Sequence, residues 1–132
     1  MANHRLHRKS AYECVAVYGT LKSGCSNHSL LADSLRVDEG WILGLSLYHL
    51  GLFPAATRSK SEQPVFVEVY AVSKDTLEKL DHLEDFDPQS PETSLYVRTR
   101  MRVEGGTSCW IYLYNRPVAG YPLIEDGIWP EF

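Results

Sequence analysis

Two stretches late in the chain alternate with a period of two. In residues 95–103, Leu95, Val97, Thr99, Met101 and Val103 alternate with Tyr96, Arg98, Arg100 and Arg102, and in residues 107–115, Cys109, Ile111 and Leu113 alternate with Trp110, Tyr112 and Tyr114. Such alternation suits a strand whose two faces meet different surroundings, because successive side chains point to opposite sides. Glu104-Gly105-Gly106 between the runs predicts a hairpin, and pairing Val103 with Thr107 puts both aliphatic sets on one face and the Arg and aromatic sets on the other. That second face has two readings: arginines stacked on aromatic rings at the surface, which is the default, or a wall offering hydroxyls and charge to an anionic substrate.

Cys14-Val15-Ala16-Val17 is a short apolar run that predicts a buried strand. Residues 37–50, rich in Leu, Trp, Tyr and Ile and interrupted by Gly40 and Gly44, predict one long bent strand or two paired ones. Residues 51–54 are expected to turn, 55–63 to form a polar excursion, and 64–72 to form a strand. Next comes a helix from Ser73, a natural N-cap, with Leu77, Leu80 and Leu83 as its inward stripe. Residues 88–94 carry two prolines and predict a loop, either a lid over a cavity or an ordinary surface connection.

An acid interrupts the helical stripe. At about 100° per residue, Glu84 falls within about 40° of the centre of the Leu77, Leu80 and Leu83 arc. A carboxylate aimed at the core loses hydration, and at a helix C-terminus it also meets the negative end of the dipole. Both effects raise its pKa toward the range that suits a general base near neutrality. The competing reading is that the helix frays before Asp85-Phe86-Asp87-Pro88 and Glu84 turns out to water. Asp81, one turn earlier, is a possible carboxylate neighbour, but it lies at the edge of the stripe and is expected to be solvated.

Behind the first strand lies Tyr18-Gly19-Thr20-Leu21-Lys22-Ser23-Gly24-Cys25-Ser26-Asn27-His28, a glycine-bearing loop leading to a short helix at residues 29–32 capped by Ser26 or Asn27. Gly19 permits a sharp turn and leaves the backbone open, so that consecutive amide N–H groups point at an anion. The spacing is neither that of a P-loop nor that of a dinucleotide fingerprint. His28 is read as a structural hydrogen bonder.

Taken in order, Tyr18-Gly19-Thr20-Leu21, Gly24, Asn27-His28, Tyr48-His49-Leu50-Gly51-Leu52-Phe53-Pro54-Ala55, Leu80-Asp81-His82-Leu83-Glu84 and Tyr96-Val97-Arg98 resemble the γ-glutamylcyclotransferase-like proteins. The resemblance runs from about Val15 to Tyr114 and extends to Gly127-Ile128-Trp129. It implies an α+β fold, a small mixed β-barrel with a few short helices and a cavity. It also implies a Tyr18, Gly19, Thr20, Leu21 loop that binds the γ-glutamyl group, Glu84 as the acid/base, and Tyr96 or Tyr114 near the pocket. Two departures bear on the cavity wall: Val67 stands where glycine is frequent in the family, and Cys25-Ser26 occupy variable positions.

The implied chemistry needs no nucleophilic side chain and no cofactor. The α-amino group of a γ-glutamyl amine or amide attacks its own side-chain carbonyl, and 5-oxoproline and an amine are released. Two other classes of function compete with this one. The first is a non-catalytic module that binds a small carboxylate or γ-glutamyl ligand. The second is a carboxylate-pair hydrolase using Glu84 with Asp81 or Asp85, which the closeness of these residues on one helix disfavours.

Composition narrows the setting. With 132 residues, the chain has the length of one domain, expected over residues 12–132 behind a loose tail at residues 1–11. Thirteen Lys and Arg scattered among seventeen acids, a net charge of −4, argue against nucleic acid as partner. The odd set Cys14, Cys25 and Cys109 suits a reducing compartment, with Cys14 and Cys109 as buried small hydrophobes and Cys25 as a solvated loop residue, its default reading, or a reactive thiol. No apolar segment has the form of a signal peptide or the length of a membrane span, and the five histidines offer no ligand spacing for a metal. The expectation is a cytoplasmic protein acting on a small γ-glutamyl molecule.

Overall fold

A computed structural model describes residues 12–60 and 63–130. The expected N-terminal tail lies outside the described residues. Among the described residues, seven strands and one α-helix follow in order: β1 Tyr12–Val17, β2 Leu35–Ile42, β3 Leu45–His49, β4 Pro54–Arg58, β5 Val65–Ser73, α1 Lys74–Leu83, β6 Tyr96–Arg102 and β7 Ser108–Tyr114. Short 3-10 turns occupy His28–Leu31 and Pro91–Thr93. The body is a mixed α+β structure dominated by its sheet. Among the described residues no helix is long and apolar enough to cross a membrane.

Five strands form one sheet in the order β2-β5-β1-β7-β6, with β1 and β7 parallel and the remaining pairs antiparallel. The β6–β7 hairpin has the expected register: Tyr96 pairs with Tyr114, Arg102 with Ser108, and Val103 N–H donates to the Thr107 carbonyl at 3.0 Å. β3 and β4 pair with each other as a separate ribbon, and Tyr48 of β3 also bridges Leu123. Two expectations change here. The 37–50 segment is two strands that do not pair together, broken where Gly44 has φ +83°, and the supposed polar excursion contains β4, whose Pro54, Ala55 and Ala56 are buried.

The sheet is not a closed barrel. Among the described residues its edges meet only at one corner, where Glu104 N–H donates to the Trp41 carbonyl at 2.8 Å and Thr107 N–H to Asp38 Oδ2 at 3.0 Å. Loop bonds at the hairpin tip replace a strand ladder between β2 and β6, so the expected barrel is a curled open sheet.

The alternation sorts side chains into two cores. Val65, Val67 and Val69 of β5 join Cys109, Ile111 and Leu113 of β7 against Leu45, Leu47 and Ala56 of the ribbon. On the other face, Val15, Val17, Tyr70, Val72, Tyr96 and Tyr112 pack against Leu77 and Leu80 of α1 and against Leu31. The Ser73 hydroxyl accepts from Thr76 N–H at 3.2 Å and so starts α1 as expected. Residues 87–95 are tied down by several bonds, including Arg116 Nη1 to the Ser94 carbonyl at 2.8 Å and Leu95 N–H to the Asp85 carbonyl at 3.0 Å.

The C-terminal segment closes the structure. Trp129 is fully buried, and the Gly127 carbonyl accepts from Phe66 N–H at 2.9 Å. Gly127 has φ +70°, and a Cβ there would stand 2.0 Å from the Pro64 carbonyl oxygen. Gly127→Ala is therefore expected to cost more than about 2 kcal/mol in urea unfolding. An unchanged midpoint would contradict this docking of the segment.

Candidate active site

The cavity begins where the sheet ends. The parallel register sets Val15 against Trp110 and Ala16 against Ile111, and Val17 and Tyr112, the next residue on each strand, both line the cavity. The chain leaving β1 thus turns beside the last residues of β7, underneath the end of α1. Gly19 is needed here because of crowding: a Cβ would meet the Pro54 ring carbons at 2.7 and 2.8 Å. Asn27 staples the turn, its N–H donating to the Thr20 carbonyl and its Nδ2 to Thr20 Oγ1, both at 2.8 Å. His28 Nδ1 lies 2.9 Å from the Leu21 carbonyl oxygen, in the structural role expected of it.

These elements enclose about 150 Å³. Tyr18, Gly19, Thr20, Leu21, Glu84 and Tyr96 all line this one space, joined by Tyr112, Asn27, Phe53 and Pro54. Tyr114 does not line it. Its ring stands behind Tyr96, with centroids 5.2 Å apart.

Glu84 caps α1, its N–H donating to the Leu80 carbonyl at 2.9 Å, so the helix does not fray before it. Among the described residues its carboxyl has neither a hydrogen bond nor an ion pair. Burial raises its pKa from the ordinary 4.5 to about 7. The inward arc of α1 is centred on Leu77 and Glu84, and Asp81 falls about 40° from Leu77 whereas Leu83 falls about 120° away. Leu83 accordingly sits half-exposed at the cavity mouth, and Asp81, expected to be solvated, is buried. Asp81 accepts from the Tyr112 hydroxyl at 2.5 Å and lies 3.0 Å from Arg98 Nε.

The tyrosines line the cavity with rings whose hydroxyls are already engaged. Tyr18 donates to the Tyr112 carbonyl at 2.6 Å, Tyr96 to the Pro54 carbonyl at 2.8 Å, and Tyr112 to Asp81. Burial pushes all three hydroxyl pKa values up, with the neighbouring Glu84 charge adding to the shift in each case. They stay neutral at physiological pH. The face divides: Arg98 and Arg100 stack on Trp110 at 4.6 and 4.4 Å and do not line the cavity, whereas Tyr96 and Tyr112 are buried and do.

In contrast, the backbone amides of Gly19, Thr20 and Leu21 donate to no described group. The polar groups left open in the cavity are thus chiefly one carboxyl and a run of N–H donors. The carboxyl suits proton transfer, and the amides suit an anion.

The turn rests on groups the sequence did not single out. Glu68 is buried and accepts from Ser23 N–H at 2.7 Å and the Tyr70 hydroxyl at 2.9 Å. Lys22, also buried, donates from Nζ to the Trp129 carbonyl at 2.6 Å. Cys25 is buried too, contrary to expectation, because the turn folds back under the C-terminal segment, with Sγ 4.0 Å from the Pro130 carbonyl oxygen. For Glu68, the only signal in the sequence was an acid within an apolar strand. Nothing local marked Tyr112 above Tyr114.

Residues 15–131 match the family model described as gamma-glutamyl cyclotransferase, AIG2-like. The chain is 34% identical over 115 residues to the gamma-glutamylcyclotransferase family protein ytfP of Citrobacter rodentium, covering 87% of this chain and 93% of that protein. It is 33% identical over 104 residues to the gamma-L-glutamyl-butirosin B gamma-glutamyl cyclotransferase of Niallia circulans, covering 76% and 65%. Among solved structures, an AIG2-like protein of Mus musculus superposes with a TM-score of 0.71 at 25% identity, covering 86% of each chain. With its body matched in sequence and in fold, the chain belongs to the AIG2-like gamma-glutamyl cyclotransferase family.

Proposed function

We propose that the protein is a γ-glutamyl cyclotransferase that converts a γ-glutamyl amine or amide into 5-oxoproline and the free amine, with Glu84 as acid/base. The observation that carries this reading is the unpartnered Glu84 carboxyl, lining the same small cavity as the open 19–21 amides.

In the forward direction, the substrate α-carboxylate or the developing oxyanion takes hydrogen bonds from the amides of Gly19, Thr20 and Leu21. Glu84 removes a proton from the α-ammonium group, and the freed amine attacks the side-chain carbonyl carbon. As the tetrahedral centre collapses, the bond to the leaving nitrogen breaks, protonated Glu84 returns its proton there, and the regenerated carboxylate passes the surplus proton of the ring nitrogen to the released amine, which departs as an ammonium ion. Connectivity supplies much of the rate, since well-oriented intramolecular attack reaches effective molarities of roughly 10⁵ to 10⁸ M. The protein adds about 10² to 10⁴ by proton transfer and on the order of 10² to 10³ for each oxyanion donor. Tyr18, Tyr96 and Tyr112 form the walls that hold the glutamyl chain folded.

Glu84→Gln tests the assignment against a panel of γ-glutamyl amines, γ-glutamyl dipeptides and glutathione, scored for 5-oxoproline. Turnover is expected to fall by about 10² to 10⁴ with the fold retained. Equal activity in the variant would remove Glu84 from the mechanism. Binding without release of 5-oxoproline by the wild type would instead make the protein a binding module.

The base must be ionised in the free enzyme, so kcat/KM should rise with pH to a plateau above about 7, and that limb should vanish in Glu84→Gln. Stability runs the other way. A carboxyl whose folded pKa of about 7 exceeds its ordinary 4.5 favours the folded state below that lower value, and this contribution is lost as pH rises through 7. Denaturant titrations at pH 5 and pH 8 should therefore show a fall in wild-type stability, on the order of 2 kcal/mol, that Glu84→Gln lacks. The same fall in both proteins would place the carboxyl in solvent.

A further inference from the structure

We propose that Phe53 and Leu83 form an apolar clamp at the mouth of the cavity that grips the aliphatic chain of the leaving amine. This inference rests on the cyclotransferase reading and extends it to the half of the substrate that the cavity does not enclose.

At about 150 Å³ the cavity is well below the roughly 300 to 1,000 Å³ of sites that enclose drug-sized ligands. It suits a glutamyl group alone, so whatever the amine carries must pass out through the mouth. Two large apolar side chains stand there. Phe53 and Leu83 both line the cavity yet remain 39% and 41% exposed. A single exposed leucine or phenylalanine is ordinary. Two that line one cavity, delivered by elements thirty residues apart, leave apolar surface exposed beside it.

Each is fixed in place by its neighbours. Phe53 follows Gly51 in the β3–β4 turn, where Leu50 N–H donates to the Phe53 carbonyl at 3.1 Å, and its ring meets Tyr96 edge-on at 6.5 Å between centroids. Leu83 is the last residue of α1, immediately before Glu84. It also lines a surface groove with Leu30, the rest of which is polar: Asp75, Glu78, Lys79 and His82. Within the cavity, charge does not offer an alternative grip. No lysine or arginine lines the cavity, and the buried cations nearby are engaged: Lys22 on the Trp129 carbonyl and Arg98 on Asp81. An aliphatic chain on the leaving nitrogen would cover both side chains while the glutamyl end sits against the amides.

The test is a series of γ-glutamyl methylamide, butylamide and hexylamide, assayed for 5-oxoproline with the wild type and with Phe53→Ser and Leu83→Ser. Full burial of a methylene is worth about fourfold, so a half-open clamp should raise kcat/KM by about twofold per methylene. Each serine variant should flatten that dependence, and the slope along the series, not the absolute rate, is the readout. Equal kcat/KM for all three amides, or a slope unchanged in both variants, would overturn the clamp and leave the cyclotransferase reading intact. Failure of the wild type to turn over any amide would overturn both. Should a serine variant unfold, the wild-type series still decides.

Discussion

Tyr112 is gripped at both ends, and the site depends on that grip. Its hydroxyl donates to Asp81 on α1, and its carbonyl accepts the Tyr18 hydroxyl at the start of the turn. One residue of β7 therefore fastens the helix that carries Glu84 and the turn that carries the open amides. The parallel contact between β1 and β7 makes this possible, because it brings the C-terminal ends of both strands to the same edge of the sheet. Arg98 completes the arrangement by neutralising Asp81, which would otherwise be a second uncompensated carboxylate one helical turn from Glu84.

The chemistry of the cavity follows from which polar groups are already satisfied. Buried hydroxyls find acceptors, and here Tyr18, Tyr96 and Tyr112 each find one in the protein. Their rings shape the space and exclude water without competing for the ligand. Glu84 is the exception, an acid lacking a partner among the described residues, and its raised pKa is the expected consequence of poor hydration. Folding with such a group costs stability whenever it is ionised. That is the pattern of a functional site, where local consistency yields to chemistry.

The curl of the sheet brings the distant segments together without closing a barrel. Among the described residues, only bonds at the β6–β7 hairpin tip join its two edges. The β3–β4 ribbon packs against the inner face, and its turn delivers Phe53 and Pro54 to the cavity. The Tyr96 hydroxyl on the Pro54 carbonyl ties that ribbon to the strand beyond the proposed base.

The sequence by itself determined what depends on near neighbours. Period-two alternation set the hairpin and its register, the Leu77 and Leu80 spacing with the Ser73 cap set the helix, and the angular position of Glu84 turned its side chain inward. The ordered motifs from Tyr18 to Tyr96 pointed to the family. Only the tertiary structure decided what depends on partners far along the chain. Asp81 is buried because Arg98 and Tyr112 reach it, 17 and 31 positions away. Tyr112 lines the cavity instead of Tyr114 because of where β7 lies beside β1, a register that alternation cannot reveal. The barrel expectation failed for a related reason: strand patterns specify faces, whereas closure depends on whether the edges meet along their length or, as here, only at a corner.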